Sequence, residues 1–95
     1  MTQMGVIRRL LENGWIPLRQ LGVLLQKPDR SIYGRQHTRN PVPTVRIGGT
    51  ERVYTDVVIQ EIEYAKSLED GEADVLLDLI QTGLKDKERK EKKDA

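Results

Sequence analysis

Pro41-Val42-Pro43-Thr44-Val45-Arg46-Ile47-Gly48-Gly49-Thr50-Glu51-Arg52-Val53-Tyr54 is the stretch on which the fold turns. The two prolines forbid a helix, because each lacks an amide donor and clashes with the preceding turn. Thr44 to Ile47 alternates in polarity, Gly48-Gly49 supplies the positive backbone angles of a tight hairpin turn, and Glu51 to Tyr54 returns as a second strand. On this reading Val45, Ile47 and Val53 lie against a core, and Arg46 and Arg52 project outward. A lone hairpin is marginally stable in water, so the flanking segments must provide a body for it to lean on.

Both flanks read as helices. Upstream, Asp29 is expected to cap a helix from Arg30 to about Arg39. At about 100° per residue, Ile32 and Tyr33 face the core, and the opposite face collects Arg30, Ser31, Gly34, Arg35 and Thr38, with Arg39 at its edge. Before it, Pro17 opens a helix that runs to about Gln26, with Leu18, Leu21, Leu24 and Leu25 at helical spacing. Gly22 within that helix costs about 1 kcal/mol of propensity, which implies close packing there. Lys27-Pro28 ends it, since proline pushes the residue before it away from helical geometry. Two short helices joined by such a turn have the dimensions of a helix-turn-helix, whose second helix enters the DNA major groove. Thr2 caps an earlier helix carrying Met4, Ile7, Leu10 and Leu11, which stops at Asn13-Gly14; Trp15 and Ile16 make an extended link.

Downstream, Thr55 is expected to cap a fourth helix from Asp56 to Leu68, with Val58, Ile62, Ala65 and Leu68 on one face and Asp70-Gly71 as its end. A fifth helix from Glu72 to about Leu84 carries Leu76, Leu79, Ile80 and Leu84 in a stripe too apolar to leave in water. That stripe either binds a partner, including a second copy, or folds back over the first helix. The charged segment 85–95 is read as a frayed helical extension or as disorder, having almost nothing apolar to offset its ordering entropy. The expected organisation is a domain over 1–70, an acidic accessory helix over 71–84 and a tail over 85–95.

The whole-chain charge conceals this division. The 95 residues include 16 basic and 15 acidic side chains, for a net charge of +1. Met1 to Tyr54 nevertheless holds nine basic residues, eight of them arginine, against three acidic ones, a local charge of +6. Thr55 to Leu84 holds Lys66 alone against eight acidic residues, a local charge of −7. Arginine's planar fork suits phosphate and guanine, so the first half points to nucleic acid. The absence of cysteine excludes a disulfide framework and suits a reducing cytoplasm. One histidine, His37, read as a surface residue, leaves no set of metal ligands, and no stretch approaches the roughly 20 apolar residues that span a bilayer.

The order of these elements resembles the winged helix-turn-helix of the MerR-like superfamily, and most closely its small excisionase and AlpA-type members. The resemblance covers Ile16 to about Leu68. Its most specific part runs from Pro41-Val42-Pro43 through Arg46-Ile47-Gly48-Gly49 to Arg52-Val53-Tyr54. It implies a recognition helix in the major groove bearing Arg30, Ser31, Arg35 and Thr38, and a wing bearing Arg46 and Arg52 at the neighbouring minor groove or backbone. It also implies mobile-element biology: recombination directionality beside an integrase, transcriptional regulation, or both. The segments 1–14 and 72–95 fall outside the family pattern.

The expected fold is therefore mainly α with a β-hairpin wing, a winged helix-turn-helix with additional terminal helices. The expected function is sequence-specific binding of double-stranded DNA through Arg30, Ser31, Arg35, Thr38, Arg39, Arg46 and Arg52. Arg35 either reads guanine through its O6 and N7 or contacts a phosphate; Arg30 positions the helix on the backbone. Leu76, Leu79, Ile80 and Leu84 are the expected contacts to a recombinase or a second copy. Trp15 and Tyr54 are expected core anchors. Two other readings stand beside this one: the DNA-recognition small subunit of a phage packaging terminase, and a protein-interaction adaptor that keeps the fold without binding DNA. Catalysis is not expected. Ser31 and Ser67 have no histidine base within their elements, and Gly48-Gly49 lacks the lysine and helix of a phosphate-binding loop. No cofactor, metal or membrane contact is expected, and the expected compartment is the cytoplasm.

Overall fold

The computed structural model describes residues 1–69 and 71–93. It is mainly helical with a small antiparallel sheet. In chain order the elements are α1 (Gln3–Asn13), β1 (Trp15–Pro17), α2 (Leu18–Leu24), α3 (Asp29–Arg35), β2 (Val45–Ile47), β3 (Thr50–Tyr54), α4 (Thr55–Glu63) and α5 (Glu72–Lys93).

Local chemistry sets most of the boundaries. The Thr2 hydroxyl accepts from the Gly5 amide at 3.1 Å, and Gly14 ends α1 in the left-handed conformation at φ 78°. The end of α2 is closed by two capping bonds, from the Lys27 amide to the Gly22 carbonyl (2.9 Å) and from the Gln26 amide to the Val23 carbonyl (3.3 Å). This double closure needs a left-handed residue, and Gln26 takes that role at φ 54° where glycine is usual. Gly22 is buried, and a methyl group on it would lie 3.0 Å from the Lys27 carbonyl oxygen, which explains the glycine. Two expected caps differ. The helices α3 and α4 begin one residue earlier than expected, at Asp29 and Thr55, after Pro28 and Tyr54. Asp29 instead faces Arg19 at 3.7 Å, and the Thr55 hydroxyl donates to the Gly14 carbonyl at 3.1 Å, tying the start of α4 to the end of α1.

The sheet has the order β1-β3-β2. Its register pairs Trp15 with Tyr54, Ile16 with Val53 and Pro17 with Arg52, and then Val45 with Arg52, Arg46 with Glu51 and Ile47 with Thr50. Paired residues share a face. One face therefore carries Ile16, Val53, Arg46 and Glu51, and its first two members are fully buried. The other carries Trp15, Pro17, Val45, Ile47, Thr50, Arg52 and Tyr54. The expectation that Val45 and Ile47 join Val53 in the core is corrected: they are 47% and 45% exposed. Across the two-residue turn the paired numbers sum to 97, an odd number, so odd positions of β2 share a face with even positions of β3. Arg46 and Arg52 consequently project from opposite faces.

The core joins Val6, Ile7 and Leu10 of α1, Ile16, Leu18, Leu21, Leu24 and Leu25 around α2, Ile32 of α3, Val42, Val53, Val58 and Ile62, with Leu68, Leu76 and Ile80 from the C-terminal part. Leu79 and Leu84 pack against its edge. The expected partner stripe of α5 thus lies within the chain, where α5 packs against both α1 and α4. Helices α1 and α5 run in the same direction, with Gln3 beside Val75 and Leu76 at one end and Leu11 beside Gly83 and Lys87 at the other. They cross so closely at Gly83 that any side chain there would overlap Leu11, and the Lys87 ammonium donates to the Leu11 carbonyl at 3.1 Å. From Lys85 the charged segment continues α5 through Lys93, so of the two readings of that segment the helical one describes it; residues 94 and 95 lie outside the described residues. The fourth helix ends at Glu63 rather than Leu68, and the Asp70 part of its expected stop is likewise outside the described residues. Among the described residues no helix is long and apolar enough to cross a membrane.

Candidate nucleic-acid interface

α3 is a short platform whose single buried residue is Ile32, seated against Gly22 of α2. Taking Ile32 as the inward direction, Arg30 and Gly34 point furthest outward, Ser31 and Arg35 lie on one flank, and Tyr33 lies on the other. Arg30, Ser31 and Gly34 are exposed, and nothing stands within 4 Å of the place where a Gly34 side chain would be. The helix is shorter than expected. Beyond Arg35 the chain tightens into three successive turns, closed by bonds from the amides of Gln36, His37 and Thr38 to the carbonyls three residues earlier. Thr38 and Arg39 therefore sit beyond the helix, and the Thr38 hydroxyl donates to the Arg35 carbonyl at 2.6 Å. Arg39 is exposed beside Asn40 and Pro41 on the rim of a second cleft that also takes in Lys27, Tyr64 and Lys66.

Arg35 is the largest departure from the sequence reading. Its guanidinium forms a two-pronged ion pair with the Glu61 carboxylate of α4, Nη1 to Oε1 and Nη2 to Oε2, the latter at 3.0 Å, while Nε donates to the Asn40 carbonyl at 2.9 Å. The Glu61 side chain is 13% exposed and the Arg35 side chain 31%. Each of the three nitrogens already makes one bond, and the two N–H groups left over point in opposite directions, so in this conformation Arg35 has no free parallel pair of donors for guanine. The signal was absent from local sequence because Glu61 lies 26 positions away, in the acidic half.

The two wing arginines separate as the register requires. Arg46 is exposed and opens into a cleft of about 400 Å³ between the hairpin, the start of α2 and α3, lined also by Arg19, Gln20, Tyr33, Gly49, Thr50 and Glu51. Glu51 is directly opposite Arg46 across the strands, yet the described residues form no ion pair between them. Arg52 lies on the far face, stacked over Trp15 with its guanidinium carbon 4.0 Å from the ring centroid. Its Nε is buried without a hydrogen-bond partner. Arg52 thus packs on the indole, with Trp15 and Tyr54 only half-buried there.

Comparison of the chain with protein-family models, with curated proteins and with solved structures returns no match. Of the expected residues, the cleft holds Arg46, while Arg30 and Ser31 are exposed on α3 outside its lining; Arg35 and Arg52 are engaged elsewhere, with Glu61 and with Trp15. Two residues belong to the cleft that the sequence reading did not select. Arg19 at the start of α2 is 71% exposed by its side chain and only loosely paired with Asp29. Tyr33, expected in the core, is 41% exposed and walls the cleft. The helical wheel carries the signal for Tyr33: with Ile32 at the centre of the buried face, its neighbour must fall at the edge, and a phenol hydroxyl favours such a boundary.

Proposed function

We propose that the chain binds duplex DNA sequence-specifically as a winged helix-turn-helix, with α3 in the major groove and the β2–β3 hairpin beside it. The observation that supports this reading best is the Arg19–Tyr33–Arg46 cleft, where Tyr33 brings one flank of α3 beside the hairpin, with Arg30 and Gly34 exposed on the outward side of the same helix. It is cationic, it offers hydroxyl and aromatic groups, and Gly34 leaves the helix low enough for close approach. Arg19, Arg30 and Arg46 are the phosphate contacts, and Ser31 and Tyr33 are the groups in reach of base edges. Relative to the sequence reading, base recognition moves from Arg35 to the middle and N-terminal part of α3. By its resemblance, the role is that of an excisionase-like recombination directionality factor or transcriptional regulator of a mobile element. Because Leu76 and Ile80 are buried within the chain, the stripe on α5 gives no support to a partner-docking segment of the kind a packaging terminase uses.

Fluorescence anisotropy with a random duplex, repeated across a salt series, tests the proposal. Three phosphate contacts give a slope of log K against log salt near −2.7, at about −0.9 per contact. A selected sequence should bind more tightly than the random pool at equal salt. Absence of duplex binding at low salt, with the chain folded, would refute DNA binding and favour the protein-interaction adaptor.

A further inference from the structure

α3 is anchored by one buried side chain, yet the segment that follows it is stapled at several points. Arg35 holds the Asn40 carbonyl and Glu61 together. The Gln36 side-chain amide clamps the backbone of Val42 from both sides, accepting from its amide at 2.8 Å and donating to its carbonyl at 3.1 Å. Val42 itself is 2% exposed. β3 passes into α4 without a linker, so Glu61 is carried by the same continuous piece as the hairpin. The Arg35–Glu61 pair therefore closes a ring: from α3 through the 36–44 segment to β2, β3 and α4, and back to α3.

We propose that Glu61 is a positioning residue that sets the orientation of α3 relative to the hairpin, acting through Arg35. Ile32 and the turn at Pro28 hold the start of α3, and the Gln36–Val42 clamp holds the segment after it; the two-pronged pair, partly shielded from water, fixes the rotation of α3 against α4 because its planar geometry is met in only one orientation. The acidic half of the chain thereby shapes the basic half. This assignment rests on the DNA-binding reading for its functional consequence, but not for its structural one.

The chain has no cysteine, so labelling sites can be introduced singly without background. Nitroxide labels at Ser31→Cys on α3 and Thr50→Cys on the hairpin, both exposed, report the distance between the two elements by pulsed electron paramagnetic resonance. The distribution should be narrow in the otherwise unaltered chain, broad in Glu61→Gln, and narrow again in the exchanged pair Arg35→Glu with Glu61→Arg. On the unlabelled chain, Glu61→Gln should weaken duplex binding about tenfold, as when roughly one-tenth of the molecules hold the competent orientation. The salt slope should not change, because no phosphate contact is removed. A distribution that stays narrow in Glu61→Gln overturns the proposal. So does tighter binding with a slope steeper by about one, which would mean that Glu61 masks Arg35 rather than aims α3. If Glu61→Gln fails to fold, the exchanged pair decides: folded with a broad distribution, it refutes the assignment. If the distribution broadens as expected but the unaltered chain binds no duplex, the positioning role stands and the DNA reading falls.

Discussion

Arg46 and Arg52 are six residues apart on one hairpin, and truncating each to alanine should affect different properties. Arg46 opens into the cleft beside α3, where it would meet a phosphate. Loss of one phosphate contact makes the salt slope shallower by about 0.9, so between 50 and 200 mM salt the affinity deficit of Arg46→Ala should shrink about 3.5-fold. Its side chain is exposed and unpaired, and the melting temperature should move little, since such surface substitutions usually stay within about 0.5 kcal/mol. Arg52 lies across Trp15 on the opposite face. A cation over indole contributes about 0.5–2 kcal/mol depending on desolvation, and its stem covers apolar surface besides. Arg52→Ala should therefore cost about 1–2 kcal/mol, or roughly 5–15 °C in a domain of this size, and leave the salt slope unchanged. Thermal melts followed by circular dichroism and anisotropy at several salt concentrations measure both properties on the same preparations. If Arg52→Ala flattens the slope as much as Arg46→Ala, the assignment of the two arginines to opposite faces is wrong.

Other perturbations follow from the packing. Gln26→Gly should raise stability by about 1 kcal/mol, read as a higher urea midpoint, because it relieves a left-handed residue and loses only an exposed hydrogen bond to Glu72. Gly83→Ala must displace the Leu11 side chain, so the roughly 1 kcal/mol that alanine gains in an open helix should appear in full only in a Leu11→Ala background; a double-mutant cycle measures the coupling. Ile80→Ala should cost about 2–5 kcal/mol while the chain sediments as a monomer, since the stripe on α5 serves its own core; a dimer that dissociates in this variant would restore the partner role.

What was legible in the sequence is what depends on a few adjacent residues. Thr2 and Gly14 bound α1, Gly22 marks close packing, and Gly48-Gly49 turns the hairpin, each for a reason carried by that residue's own chemistry. The misreadings are non-local or depend on a count. The pairing of Arg35 with Glu61 needs the fold before it can be seen, and so does the choice between the two readings of the α5 stripe, whose Leu76 and Ile80 lie in the chain's own core. The face of each wing arginine depends on the length of the turn: alternation within a strand is readable, but the phase between two strands is set by the parity of the residues joining them. Tyr33 was an error of width, since a helix of seven residues buries a narrower stripe than two adjacent apolar positions suggest.

The close crossing of α1 and α5 at Gly83 bears on how the chain is made. Val6, Ile7 and Leu10 leave the ribosome well before the helix that covers part of their surface, which begins only at Glu72. At a synthesis rate of about 5–20 residues per second, that apolar ridge waits several seconds for its cover. During that interval the nascent chain offers a sticky amphipathic helix to whatever is nearby, and a stalled or truncated product would present it permanently. Formation of α5 is thus the step that closes an apolar surface the preceding elements leave partly open.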